Sequence, residues 1–194
     1  MAFSPDELFE LLNEDGTPTG ILKPRREVHR DGNLHGASHV YVIRFREGRA
    51  EVLLQKRSAD KDSFPGRLDT SAAGHLDPGE TFDEAAVREL GEELGVTGVT
   101  PRFCFIQRQD YREEFYGEPF YDREIDHVYF VEMDREPDAF TPEPGEVECV
   151  VWCDMLDLQQ ELHTEDPACC INPEEFDRLV EWMKSSPDSP LNRL

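Results

Sequence analysis

The sequence predicts an α/β domain built on a mixed β-sheet. Three observations predict it. Short apolar runs of strand character are spread along the whole chain, two helical segments carry clear end signals, and 194 residues suffice for one core. Near the start, Leu8–Leu12 and Thr19–Leu22 flank Asn13-Glu-Asp-Gly-Thr-Pro, a turn signal that predicts a short hairpin. Val40–Phe45 and Glu51–Gln55 read as strands joined across Glu47-Gly48. Asp60–Arg67 is a polar loop containing Pro and Gly, and Leu68–Ala73 is a short strand leading to Gly74. Thr81–Leu94 has helical periodicity, with Gly95 as its stop. Arg102–Gln107, His127–Glu132 and Glu148–Trp152 follow as strands, separated by two acidic loops, Asp110–Asp126 and Asp134–Glu146. Pro173 opens a last helix to about Lys184, and the tail after it is expected to fray. The division expected is 1–36 as a hairpin and connection packed on the core, 37–186 as the main domain, and 187–194 as a flexible tail.

Charge narrows the functional classes. Asp and Glu number 43 against 20 Lys and Arg, a formal net charge of -23. A nucleic-acid-binding surface needs the opposite sign, and an anionic membrane repels such a chain. A small anionic substrate remains compatible if it arrives with metal cations. Asp6, Glu7 and Glu10 stand where a signal peptide needs a basic start and an apolar run. No stretch approaches the ~20 apolar residues of a membrane span. Cys104, Cys149, Cys153, Cys169 and Cys170 are odd in number and form no C-x-x-C pair, so reduced thiols are expected, as in a cytoplasmic protein. A homodimer is left open.

The segment richest in chemistry is Gly74–Val96, GHLDPGETFDEAAVRELGEELGV. At about 100° per residue, Val87, Leu90 and Leu94 fall in one sector with Ala86 beside it, and that stripe is expected to face a core. Glu89, Glu92 and Glu93 stand at i, i+3 and i+4 and share another face, roughly opposed to the stripe. Three carboxylates on one face repel each other. A hard divalent cation such as Mg²⁺, which prefers oxygen ligands, reverses that sign. Arg88 is placed to pair with one carboxylate and so to fix which acids stay open to a metal. Gly74 and the Pro78-Gly79 turn let backbone approach a ligand closely.

Gly74, Glu80 and Arg88-Glu89-Leu90-Gly91-Glu92-Glu93-Leu94-Gly95-Val96 resemble the Nudix box at every defining position. The resemblance implies a three-layer α/β/α sandwich around a mixed sheet, with the box as a loop–helix–loop. It implies Mg²⁺ (or Mn²⁺) held by Glu89, Glu92, Glu93 and the Gly74 carbonyl. It implies water attack on one phosphorus of a nucleoside diphosphate linked to another moiety. Arg88, Glu89, Glu92 and Glu93 are then the catalytic set, with Arg57, Lys61 and Gly74 at the substrate. Glu89, Glu143, Glu146 and Glu148 are the candidates for the general base. Phe115, Tyr116, Phe120 and Tyr121, in the first acidic loop, are placed to stack on a base, to line an apolar pocket or to anchor their own loop.

The flanks resemble one branch of the superfamily. Arg26-Glu-Val-His29, Gly32-Asn-Leu-His35, Leu53-Leu-Gln-Lys-Arg57, Lys61, Phe64-Pro65 and Gly74-His75 are similar to segments of the isopentenyl-diphosphate isomerases. By that likeness, His29, His35, His75 and Glu124 form a second metal site of a kind suited to Zn²⁺ or Mn²⁺. Local packing or capping is the favoured reading of His29 and His35 taken singly, and His39 and His163 are expected to be structural. The likeness breaks at Ala73, where the isomerases carry a catalytic Cys. The sequence thus favours a hydrolase over an isomerase, with a non-catalytic nucleotide-binding Nudix domain as the third class.

Overall fold

The structure is a computed structural model that describes residues 7–61 and 63–185. The expected flexible tail at 187–194 lies outside the described residues, as does the start of the chain to residue 6. The hairpin forms as its turn signal predicts. β1 (Leu8–Leu12) pairs antiparallel with β2 (Pro18–Pro24) as a separate two-stranded sheet. Asn13 Nδ2 donates to the carbonyl and hydroxyl of Thr17 across the turn. The connection holds a helix that the sequence reading missed, α1 (Arg25–Asp31), closed by Gly32 in the left-handed conformation at φ 63. It is short and charged and lacks a side-chain cap, so only Gly32 marked its end.

The main sheet has seven strands centred on β3 (His35–Arg46). β3 runs parallel to β8 (Glu118–Glu132) on one edge. On the other edge its C-terminal part pairs antiparallel with β4 (Arg49–Arg57), and its N-terminal part with β6 (Ala72–His75). β4 also carries β5 (Leu68–Asp69) and β9 (Val147–Asp154). The single strand expected over Leu68–Ala73 is therefore two. The chain crosses from the edge of β4 to the edge of β3 at Thr70-Ser71. There the buried Ser71 hydroxyl donates to the Leu53 carbonyl at 2.5 Å and accepts from Val42 N–H at 2.7 Å.

The largest correction concerns Asp110–Asp126. It is not a loop, for β7 (Arg102–Phe115) pairs with β8 along nearly its whole length. Only Tyr116-Gly117 turns, at φ 54 and φ 81. Positive φ at both central residues is the tight hairpin turn that matches strand twist. Its outer part, on both sides of the turn, is exposed and rich in charge, as suits the free end of a ribbon, so it lacks the apolar alternation that marks a half-buried strand.

Alternation along β3 builds three layers. Val40 and Val42 face α2 (Phe82–Leu94), where Ala86, Leu90 and Leu94 are fully buried. Tyr41 and Ile43 face α3 (Met155–Leu162) and α4 (Pro173–Ser185), which contribute Leu158, Phe176, Leu179 and Met183. α3 was also missed, although Asp154 caps it through Leu156 N–H and Asp157 N–H and its apolar residues recur at helical spacing. α2 and α4 stand where the sequence places them. Thr81 and Glu84 close a reciprocal capping box at the start of α2, and Gly95 ends it at φ 67. No helix among the described residues is long and apolar enough to cross a membrane. All five cysteines are free thiols.

Candidate active site

β6, α2, the β4–β5 connection and the buried end of β8 surround a cavity of about 440 Å³. The buried arc of α2 differs from the predicted one. Val87 is 44% exposed, whereas Glu89 and Glu93 are 8% and 6% exposed. The acids are not opposed to the apolar stripe but flank it, because α2 lies against β6 as well as over the β3 core. Gly74 is what permits this approach, since a Cβ there would fall inside the Glu89 carboxylate. Glu93 Oε2 accepts from Gln55 Nε2 at 3.0 Å and from Ala73 N–H at 2.9 Å. Glu92 is exposed.

Arg88 organises this face. Its guanidinium grips Glu80 with two bonds of 2.9 Å, and it donates to Glu89 at 2.5 Å, Glu92 at 3.1 Å and the His75 carbonyl at 2.9 Å. Burial pushes the Glu89 carboxyl up, against the pull of Arg88. Burial, then the charge of Glu89, pushes Glu93 up as well. Two buried carboxyls that resist ionisation together, beside a third that is exposed, form a hard-oxygen donor set short of positive charge, and Mg²⁺ fits it. A thermal melt at millimolar Mg²⁺ is therefore expected to show a higher midpoint than one in EDTA, because a ligand of the native state alone stabilises that state. Identical midpoints would count against a site here.

Lys61 and Arg57 add two further cations to the lining. Lys61 pairs with Glu146. Arg57 is held by Asp69 at 2.7 Å and by the Ser63 carbonyl, and it still lines the cavity. Glu143 and Glu146 also line it. Glu148 does not: it is exposed and bonds Lys56 at 3.0 Å, which leaves it out of the group that can reach a substrate.

Beside Glu89, four donors converge. One ring nitrogen each from His29, His35 and His75 and one oxygen of Asp122 lie within 4.8 Å of one another. Glu124 Oε1 faces His35 Nε2 at 3.3 Å and His75 Nε2 at 3.0 Å. Asp122, which the sequence reading did not single out, stands two residues before Glu124 on the same face of β8. Phe9 of the hairpin stacks on His75, and Phe120 on His29. His29 Nε2, His35 Nε2 and Asp122 Oδ1 are buried without hydrogen-bond partners. His75 differs: Arg25 Nη1 lies 3.2 Å from its Nδ1. Arginine only donates, so Nδ1 accepts and Nε2 carries the hydrogen toward Glu124.

A profile of the NUDIX domain matches residues 35–172. The chain belongs to the Nudix family. Nudix hydrolase 3 of Arabidopsis thaliana is 40% identical over 168 residues, 84% of this chain, and the match spans only 21% of that longer protein. The isopentenyl-diphosphate Delta-isomerase of Nocardia farcinica is 35% identical over 161 residues, 82% of this chain and 86% of the isomerase. Among solved structures, DR0079 from Deinococcus radiodurans shares the Nudix fold with a TM-score of 0.69 at 21% identity, over 89% of this chain and 98% of that one. Nudix relatives at this distance thus include hydrolases and isomerases alike, and the residues of the cavity must separate them.

Of the residues singled out in the sequence, the Nudix fold brings Arg88, Glu89, Glu92, Glu93, Gly74, Arg57, Lys61, His75 and Glu124 to the cavity. His29 and His35 stand beside it in the histidine cluster. Phe120 is the one member of the aromatic group on the cavity wall; Phe115 packs on Phe64 and Phe120, Tyr121 lies under Arg112, and Tyr116 is exposed at the turn. The sequence reading treated His39 as structural. His39 lines the cavity beside Ala73, its cross-strand partner, and its Nδ1 lies 3.0 Å from both oxygens of Glu175. Glu175 is 1% exposed on α4, 136 residues away in sequence, so no local pattern links the two. His163 is a surface residue paired with Asp177.

Proposed function

We propose that this Nudix protein is a Mg²⁺-dependent hydrolase that cuts a diphosphate linkage in a nucleoside diphosphate derivative or nucleotide, with Mn²⁺ as an alternative ion. The observation that carries this reading is the pairing of a complete acidic set, packed on Gly74, with an Ala73 side chain that has no proton to transfer. The rest of the floor supports it. Gln109, Asn172, His39 and Glu175 also line the cavity, polar groups that suit a phosphorylated substrate.

Glu89, Glu92 and Glu93 would hold the metal, with the Gly74 carbonyl as a further donor. When bound, the ion supplies positive charge against the phosphoryl oxygens and lowers the pKa of the attacking water. The protein does the rest. Arg88 holds Glu89 and Glu92 in place. Arg57 and Lys61, which line the cavity, orient the diphosphate. Glu89, Glu143 or Glu146 accepts the proton from water, since all three line the cavity. The test is release of phosphate, or of a nucleoside monophosphate, from a panel of nucleotides, dinucleotides, nucleotide sugars and prenyl diphosphates, with Mg²⁺ or Mn²⁺. Turnover of one phosphoanhydride class only with metal is expected. No cleavage across the panel would leave a binding domain as the better reading.

The cluster of His29, His35, His75, Asp122 and Glu124 is read as a second metal site, of the kind the isomerase likeness implies. Neutral imidazoles with carboxylates suit Zn²⁺ or Mn²⁺. His75 can ligate through Nε2 only if Arg25 releases Nδ1, so His29, His35 and Asp122 are the primary donors. The purified protein is expected to retain a transition metal, and His35→Ala to lose it. Elemental analysis that finds none in the parent protein would return the cluster to a packing role.

A further inference from the structure

A second group of donors stands next to the histidine cluster, on the same face of the sheet. Parallel pairing sets His35 against Glu124 and Ala37 against Asp126, so residues 122, 124 and 126 of β8 all point to this side. One ring nitrogen of His39, one oxygen of Asp126 and one of Glu175 lie within 4.8 Å of one another. Proximity of acids alone would mean little. The decisive observation is that Asp126 is 0% exposed and both of its carboxyl oxygens lack a hydrogen-bond partner. A buried carboxyl with no partner is costly in either charge state.

The donors nearest to Asp126 are committed elsewhere. Gln107, its cross-strand neighbour on β7, donates to the Arg108 carbonyl at 3.1 Å and takes Arg178 on its own oxygen. Gln109, one rung further, reaches toward Asp122 and Glu124 at 3.4 Å. The Tyr41 hydroxyl donates to Glu175 Oε1 at 2.7 Å, and His39 Nδ1 lies 3.0 Å from both Glu175 oxygens, a spacing that two ligands of one ion can share. Both oxygens of Asp126 and the spare lone pairs of Glu175 remain open. An ion held here would take the place of the hydrogen between His39 Nδ1 and Glu175.

We propose that His39, Asp126 and Glu175 bind a divalent transition-metal ion, of the Mn²⁺ or Zn²⁺ class, behind the cavity floor. One imidazole and two carboxylates favour such an ion over Mg²⁺, which takes oxygen ligands and water. His39 and Glu175 line the cavity, so the ion enters from it. The site is separate from the acids of α2 and from His29, His35 and His75, and it stands or falls independently of the hydrolase reading.

The test is anomalous diffraction at the manganese edge from crystals grown with millimolar MnCl₂. A peak enclosed by His39, Asp126 and Glu175 is expected, and it should vanish in Asp126→Asn while peaks at other sites persist. Dialysis against Mn²⁺ should likewise show about one ion per chain fewer in that variant. Absence of the peak in the parent protein overturns the proposal, whatever other sites are filled, and means that Asp126 is neutralised by a proton. A peak that persists unchanged in Asp126→Asn overturns it equally. If Asp126→Asn does not fold, the parent map alone decides.

Discussion

Glu93→Gln and Glu92→Gln are each expected to lower kcat by on the order of a hundredfold or more, since one charge at a metal is worth several kcal/mol and each tenfold in rate is about 1.4 kcal/mol. The fold should survive both changes. Glu92 is exposed and accepts a hydrogen bond from Arg88, so its amide isostere disturbs no packing. Glu93 is buried, and its Oε2 accepts from Gln55 Nε2 and Ala73 N–H. A glutamine oxygen keeps those two bonds at the same volume and removes only the charge. The measurement is kcat on the best substrate of the panel, beside circular dichroism and a thermal melt of each variant. Activity within a few-fold of the parent in either variant would sink the assignment of these acids.

The protein is expected not to convert isopentenyl diphosphate to its dimethylallyl isomer, despite its isomerase relatives. That reaction adds a proton at one carbon and removes one from another, so it needs two placed acid–base groups on opposite sides of an apolar chain. By the resemblance to the isomerases, Ala73 stands where they carry one of them. Neither hydroxyl just before it in the chain replaces it. The Ser71 hydroxyl is buried and spent between Leu53 and Val42, and Thr70, which does line the cavity, is a very weak acid. Losing such a group typically lowers the rate by ~10²–10⁴-fold. Incubation with isopentenyl diphosphate, Mg²⁺ and Mn²⁺ tests this. Isomer forming at about 1 s⁻¹, an enzyme-like turnover, would overturn the hydrolase reading. In Ala73→Cys, any gain of isomerase activity would show that the surrounding frame is intact and only the acid is missing.

The acids of α2 were legible because their arrangement is local. Spacing on one helix, a capping residue and a terminal glycine are written within 15 consecutive residues, Thr81 to Gly95. Which acids are buried was not legible. Helical periodicity alone placed Val87 in the core, and contact with β6 instead exposed it and enclosed Glu89 and Glu93. The charged β7–β8 ribbon escaped notice for a related reason. Arg102–Gln107 and His127–Glu132 read as strands, but between them Asp110 to Arg123 are held by pairing with each other rather than by an apolar face, so those residues carry no alternating signal.

The sequence by itself determined the hairpin at the N-terminus, the helices α2 and α4, the Nudix box and the absence of a side-chain acid at position 73. Each depends on residues that are neighbours along the chain, where turn chemistry, capping and periodicity act directly. Only the tertiary structure decided how His29, His35 and His75 meet Asp122, and how His39 and Asp126 meet Glu175. Those groups come from α1, β3, β6, β8 and α4, joined by a parallel β3–β8 register and by helices packed on opposite faces of the sheet. Register between distant strands is set by the burial of a whole face, a property that no single segment carries.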